Sequence, residues 1–174
     1  MPRVNYVKRA RKDNPVCKKG ESYYWWQFAF SSKSYSLKRP RASQLTRSAY
    51  YSTLYALTEQ IEDSTVDSVD SITCLRDDAL SALEELRDET EEKLQNMSEH
   101  GLENTPTGEM IQERVDALES AISEIENLDV DIDEPDEDDP DLDDDEREEA
   151  KEKFQDQIDD LKSELIDFVG EAHV

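Results

Sequence analysis

The spacing of apolar residues changes once along the chain, from every second residue before residue 40 to alternating steps of three and four after residue 43. The first pattern is typical of β-strands, because successive strand side chains point to opposite faces. The second is typical of helices that bury one stripe. The sequence therefore predicts an α+β fold, mainly α. A small N-terminal antiparallel β-hairpin or sheet is followed by an elongated antiparallel helical coiled-coil bundle.

The strongest strand signal is the stretch of residues 23–30, where six of eight residues are aromatic. Ser31 and Ser32 form the predicted two-residue turn, which sets Phe28 opposite Tyr35. One face of this hairpin is predicted to be core: Tyr24, Trp26, Phe28, Phe30, Tyr35 and Leu37. The other face carries Tyr23 and Trp25 among polar and basic side chains. Two strands are marginal alone, so a third is expected within residues 3–7.

Helical spacing begins near Pro40 and predicts a first helix at about residues 43–62 with Ser43 as its N-cap. A second and longer helix is expected at about residues 65–98, where Ser64 and Asp67 have the spacing of a capping box.

Two more helices are predicted from error-free apolar seams at residues 111–125 and 154–168. Asp145 and Glu148 are the expected cap of the last helix. Seams of this kind need a partner helix, so helices two and three are expected to fold back on each other. Pairing of the seams between copies of the chain would give a homo-oligomer.

The predicted domain organisation has four parts. Residues 1–42 form a basic aromatic β-hairpin module, and residues 43–127 form a helical hairpin. Residues 128–145 form an acidic loop, because their like charges repel and their two prolines oppose a regular helix. Residues 146–174 form a C-terminal helix that packs on the helical hairpin.

Charge divides the chain even more sharply than apolar spacing does. Residues 1–47 hold 12 Lys and Arg against two acids, which gives +10, whereas the other 127 residues give −35. Such a division is typical of interaction proteins, because each half attracts a partner of opposite sign. The sequence has neither an apolar run of ~20 residues nor a signal-peptide pattern, which predicts a cytoplasmic protein with no membrane partner.

The basic aromatic module is a candidate nucleic-acid binder, because Lys and Arg neutralise phosphates and aromatic rings stack on bases. Tyr23 and Trp25 are the candidate stacking residues. The candidate phosphate contacts are Arg9, Arg11, Lys18, Lys19, Lys38, Arg39 and Arg41. Two other interpretations stay open. The aromatics form a mini-core that the cations solubilise, or the module docks on an acidic partner, including the acidic part of its own chain.

The acidic loop and the start of the last helix form a candidate acidic partner surface: Asp136, Glu137, Asp138, Asp139, Asp143, Asp144 and Asp145. Asp129, Asp131 and Asp133 have the spacing that begins a calcium loop. Glu134 stands where that motif needs Gly, and Pro140 where it needs Glu, so the motif fails. Cys17 and Cys74 are predicted to be free thiols, and His100 and His173 lack zinc-site spacing.

Motifs for catalysis are missing from the sequence, which has neither a phosphate-binding loop, nor a nucleotide fingerprint, nor a nucleophile elbow. Neither histidine has the Glu three residues earlier that di-iron sites need. The sequence therefore predicts a protein without enzyme activity, cofactor or bound metal.

Residues 18–30 (KKGESYYWWQFAF), Arg39, Pro40 and residues 43–46 (SQLT) together resemble a largely uncharacterised group of small phage and prophage proteins. Members of that group have a Tyr-Trp-Trp hairpin, a Ser-Gln-Leu-Thr helix start and an acidic helical tail. The chain differs from the group at Ser31 and Ser32, where Gly-Gly is usual, and at Ala29, where a basic residue is usual. The resemblance covers about a third of the chain and implies a phage origin, hence the cytoplasm of a host cell.

Three functional hypotheses follow. In the first, the chain is a non-enzymatic phage accessory protein whose basic hairpin anchors to nucleic acid or a nucleoprotein complex, while the acidic coiled coil contacts protein. In the second, it is an anti-defence inhibitor whose acidic helices mimic nucleic acid and bind a host nucleic-acid-binding complex. In the third, it is a structural assembly protein held together by its helical seams.

Overall fold

The computed structural model describes residues 1–135 and 143–174. These residues form two compact units, Met1–Ala56 and Leu57–Val174, which we call the first and second units. The division falls within the first α-helix and later than the predicted boundary after residue 42. The first unit holds every residue of the basic segment, so its side chains sum to +10 and those of the second unit to −35.

The first unit is built on a three-stranded antiparallel sheet in the order β1-β2-β3. Strand β1 spans Asn5–Val7, β2 spans Tyr23–Gln27 and β3 spans Lys33–Ser36. The third strand therefore lies where the sequence predicts it. The buried apolar side chains of this unit are Ala10, Cys17, Trp26, Tyr50 and Leu54.

The register of the hairpin differs from the prediction. Trp25 lies opposite Tyr35 and Gln27 opposite Lys33, and residues 28–32 form the connection. The residue opposite Tyr35 is thus Trp25 instead of the predicted Phe28, a register shift of three residues. Because the shift is by an odd number and neighbouring strand positions point to opposite sides, Tyr35 moves from the Trp26 face to the Trp25 face. The predicted core positions of Phe30 and Leu37 are also wrong, since both side chains are exposed.

The longer connection has a physical cause in the backbone. A two-residue hairpin turn needs positive φ angles that Gly and Asn supply and Ser disfavours. The chain instead leaves the strand at Phe28, whose carbonyl accepts hydrogen bonds from Ser31 N at 3.2 Å and Ser31 Oγ at 3.1 Å. Within this connection, Phe30 adopts a left-handed conformation, with φ 60°.

The first helix begins later than predicted. A 3₁₀ turn covers Ala42–Leu45, and α1 spans Ala49–Asp63. Ser48 precedes the first helical turn and its carbonyl accepts a 2.9 Å hydrogen bond from Ser52 N. Ser43 is therefore not the N-cap; its carbonyl accepts a hydrogen bond from the Ser52 hydroxyl at 3.0 Å.

The second unit contains three longer helices: α2 spans Val69–Glu99, α3 spans Pro106–Glu126 and α4 spans Asp144–Glu171. The N-cap of α2 is Ser68, and Ser71 completes its capping box. The N-cap of α4 is Asp143, and Glu146 completes its box. Both predicted caps are wrong, at Ser64 with Asp67 and at Asp145 with Glu148, whereas the helices themselves are confirmed.

Helix α3 folds back and packs on α2, and α4 packs on both. The largest fully buried side chains of this unit lie on the predicted seams or beside them: Ile61, Ile72, Leu83, Leu118, Ile125, Ile158, Leu165 and Val169. The predicted fold class, α+β and mainly α, is confirmed. Coiled-coil packing of the seams stays a prediction.

Helix α4 also holds the end of α1. Lys162 Nζ donates hydrogen bonds to the carbonyls of Glu62 at 2.9 Å and Ser64 at 2.7 Å. Glu62 lies in the last turn of α1, whose final carbonyls have no partner within the helix, and Ser64 follows its last residue. A cation at this end also complements the helix dipole.

Candidate nucleic-acid interface

Tyr23, Trp25 and Tyr35 share one face of the sheet, which we call the aromatic face. The ring centroids of Tyr23 and Tyr35 are 6.0 Å apart, and Lys33 Nζ lies 4.2 Å from the centroid of the Trp25 ring. All three rings are half-buried. The face therefore brings together the two predicted stacking residues, and the observed register adds a third ring and a cation.

The opposite face of the sheet carries Tyr6, Tyr24 and Trp26. Trp26 is buried at 6% exposure, as predicted, whereas Tyr6 is 57% exposed and its ring centroid lies 4.9 Å from that of Tyr24. Trp26 therefore supplies the core side chain of β2, and Tyr23 and Trp25 lie on the side away from it.

The long loop between β1 and β2 carries six cations, all exposed: Lys8, Arg9, Arg11, Lys12, Lys18 and Lys19. Side chains within the loop fix its backbone. Asn14 Oδ1 accepts hydrogen bonds from the backbone nitrogens of Val16 at 3.0 Å and Cys17 at 2.9 Å. Cys17 is buried and anchors this turn.

The two acids of the first unit are both used as backbone acceptors in this loop. Asp13 Oδ1 accepts a 2.7 Å hydrogen bond from Lys19 N, and Glu21 Oε2 accepts one of 2.7 Å from Lys18 N. Each carboxylate therefore stabilises the loop that carries the cations. The positive side chains of this loop remain exposed to a ligand.

The ends of the loop meet at Ala10, where two backbone hydrogen bonds close it. Ala10 N donates to Glu21 O at 2.8 Å, and Gly20 N donates to Ala10 O at 2.9 Å. Gly20 has φ 101°, which a residue with a side chain rarely adopts. This closure brings Arg9, Arg11 and Lys19 to one open cleft, which we call the loop cleft.

A second cleft, which we call the strand cleft, lies beyond the end of β3. Its volume is about 520 Å³, within the ~300–1,000 Å³ typical of ligand sites. Its lining contains three predicted phosphate contacts and one ring of the aromatic face: Lys38, Arg39, Arg41 and Tyr35. The strand cleft and the aromatic face therefore share Tyr35.

Not all predicted site residues belong to these clefts. Lys18 is exposed but lines neither of them. On the predicted acidic surface, Asp143 caps α4, Asp144 Oδ1 lies 3.5 Å from Arg147 Nη1, and Asp145 is exposed in the first helical turn. The remaining four predicted residues, Asp136, Glu137, Asp138 and Asp139, lie outside the described residues.

Three residues near the hairpin connection were not predicted to be functional: Lys33, Arg47, and Phe30, which was assigned to the core but is exposed. Lys33 joins the site only through the hairpin register, which the sequence did not reveal. Arg47 Nη2 donates a 2.6 Å hydrogen bond to Ala29 O, and its guanidinium lies 5.1 Å from the centroid of the Phe28 ring. These two contacts join residues 18 and 19 positions apart, so the only signal in the sequence was the basic charge of Arg47 itself.

Comparison with protein-family models, curated proteins and solved structures finds no match to this chain. Within residues 1–135 and 143–174, no group of three or more His, Cys, Asp or Glu side chains is placed to hold a metal ion. None of the helices described is both long and apolar enough to cross a membrane.

Proposed function

We propose that the chain is a non-enzymatic accessory protein whose first unit binds nucleic acid. The observation that carries this proposal is a compact unit with a net charge of +10, in which both acids accept backbone hydrogen bonds. Neutralising phosphates with Lys and Arg releases condensed counterions, which supplies most of the free energy of non-specific nucleic-acid binding.

The arrangement of the cations favours binding of nucleic acid irrespective of its base sequence. Six cations line the loop cleft and the strand cleft, and contacts of Lys and Arg with phosphates position a protein without reading bases. We therefore expect affinity to depend on ionic strength much more than on base sequence. A phage origin, which the resemblance implies, agrees with an accessory role.

Fluorescence anisotropy of the intact protein with a labelled oligonucleotide at ~50 mM salt tests this proposal. The variant Arg9→Gln/Arg11→Gln/Lys19→Gln removes the loop-cleft cations, and we expect its affinity to fall about tenfold or more. The control Lys93→Gln/Lys151→Gln/Lys153→Gln makes the same change of charge in the second unit and should bind as the wild type does. Equal losses in both triple variants would contradict a site in the first unit.

The second unit favours a second candidate function, imitation of nucleic acid. Helices α2, α3 and α4 carry 28 acidic and eight basic side chains, a net charge of −20. Helix α2 is about 46 Å long at 1.5 Å per residue. Duplex DNA of that length carries about 27 phosphate charges, so the three packed helices have a comparable charge per unit length.

Inhibition of DNase I by the intact protein separates this second candidate from the first. Nucleic-acid binding would protect the DNA substrate, and the Arg9→Gln/Arg11→Gln/Lys19→Gln variant would lose that protection. Mimicry would act on the nuclease, so the same variant would still inhibit it. A chain that never inhibits, at ~50 mM salt or below, does not act as a general mimic of DNA.

A further inference from the structure

Two aromatic features of the first unit are not needed for phosphate contacts. One is the aromatic face, and the other is Phe30 at the tip of the hairpin. Charge alone attracts duplex and single-stranded nucleic acid alike, whereas flat rings bind bases only where the faces of the bases are accessible. Rings on a protein surface therefore favour single strands over a duplex.

Phe30 is fully exposed and has φ 60°, a left-handed conformation that is uncommon for residues other than Gly, Asn and Asp. Folding thus places a large apolar ring in solvent and adds backbone strain at the same residue. Strained residues of this kind concentrate at functional sites.

The tip that carries Phe30 is fixed on both sides. Gln27 Nε2 donates a 2.7 Å hydrogen bond to Ser31 O, and Arg47 Nη2 donates one of 2.6 Å to Ala29 O. Ser31 N donates to Phe28 O at 3.2 Å. These contacts hold the backbone on either side of Phe30, so the ring projects from an ordered tip.

The aromatic face adjoins this tip through the last pair of the hairpin. Gln27 and Lys33 are paired and lie on the same face as Trp25 and Tyr35. Lys33 Nζ lies over the Trp25 ring, and Tyr35 also lines the strand cleft beside Lys38 and Arg39. Rings and cations therefore lie next to each other, and binding of a single strand uses both, rings for its bases and cations for its phosphates.

From these observations we infer that the first unit binds single-stranded nucleic acid, whose bases stack on the aromatic face and on Phe30. The bases of a duplex are paired and stacked on each other, so their faces cannot reach these rings without unstacking. The positive charge of the unit selects nucleic acid over an uncharged apolar partner. This inference rests on the proposed function of the first unit.

Binding of the intact protein to labelled thymidine and uridine homopolymers of ~20 nucleotides, and to a mixed-sequence duplex of equal length, tests the inference. The decisive variant is Phe30→Asn. Asn tolerates a positive φ, so this change keeps the tip conformation while it removes the ring. We expect its affinity for one or both single strands to fall about 5- to 150-fold, with duplex affinity and melting temperature kept.

Two further variants complete the experiment. Trp25→Leu keeps an apolar side chain on the aromatic face but removes the indole, and we expect a similar loss for single strands. Leu102→Asn replaces an exposed apolar residue of the second unit and is the matched control. It should leave all affinities unchanged. If Trp25→Leu does not fold, Phe30→Asn alone decides.

The outcomes separate the inference from the proposed function. Tighter binding to a single strand than to the duplex, lost in Phe30→Asn, supports both. Duplex binding as tight as single-strand binding, or single-strand affinity that stays within twofold in Phe30→Asn, overturns the inference but leaves the proposed function standing. Failure of the wild type to bind any of the probes overturns both.

Discussion

Gly108 lies in the first turn of α3, where this helix closely approaches the connection from α2. A Cβ at Gly108 would lie 2.7 Å from Leu102 O and 2.7 Å from the carbonyl carbon of Glu103, and closer still to Glu103 O. Real Cβ atoms do not approach other atoms so closely, and the atoms in question are backbone. Gly108→Ala must therefore displace the connection.

The displacement costs hydrogen bonds as well as steric energy. Leu102 O accepts from Thr105 N at 3.1 Å and from Thr105 Oγ1 at 2.6 Å, and Leu102 N donates to Met97 O at 2.9 Å. Overpacking costs about 1–3 kcal/mol, and each weakened hydrogen bond about 0.5–1.5 kcal/mol. Ala gains about 1 kcal/mol over Gly in helix propensity. We expect a net loss of about 2–3 kcal/mol in the free energy of unfolding.

Gly170→Ala is the matched control, because Gly170 is an exposed glycine of α4 and a Cβ there would meet nothing within 4 Å. In the last turn of a helix we expect it to gain about 0.5 kcal/mol. Urea unfolding followed by far-UV circular dichroism, with m-values compared, measures both variants. The reasoning is refuted if the two variants differ by less than about 1 kcal/mol.

Two further variants test contacts within the second unit. Lys162→Met removes the hydrogen bonds to the Glu62 and Ser64 carbonyls, so we expect a loss of about 1–2 kcal/mol in urea unfolding. Lys93→Met breaks an exposed pair with Glu89 and should cost less than about 0.5 kcal/mol; equal effects would contradict the role of Lys162. The pKa of Glu124 is raised, mainly by desolvation of its carboxylate and then by a hydrogen bond with Glu171 and repulsion from the Glu171 charge. Because the folded-state pKa lies above the unfolded value, ionisation of Glu124 lowers the stability of the folded state as pH rises. Glu124→Gln should therefore raise the melting temperature at about pH 7.5 and raise it less at about pH 5, and an equal gain at both would contradict this cause.

The helices were predictable because their signal is local and repeats. Residues at steps of three and four share one side of a helix, so Leu118 and Ile125 indicate a buried stripe in any packing arrangement. Their caps were not predictable, because Ser and acidic residues are abundant before each helix. Ser64 and Ser68 have equally suitable side chains for an N-cap. The helix begins after Ser68 because its first buried residue is Ile72, and this burial depends on tertiary packing.

The candidate site was predictable in charge but not in arrangement. Exposed cations follow from composition, since Lys and Arg are rarely buried without partners. The register, by contrast, depends on Phe30 adopting a left-handed conformation, for which Ser31 and Ser32 give no signal. The clefts depend on Asn14 and the two acids folding the loop through side-chain contacts with the backbone, which spacing along the sequence does not reveal.

The salt dependence of binding to a single strand tests the central claim most directly. Each phosphate contact on a single strand adds about −0.7 to the slope of log K against log salt, so the six cleft cations predict about −4. The intact protein should show this slope despite its net charge of −25, because the positive charge is concentrated in one unit. No binding at ~50 mM salt, or a slope near zero, would contradict the account.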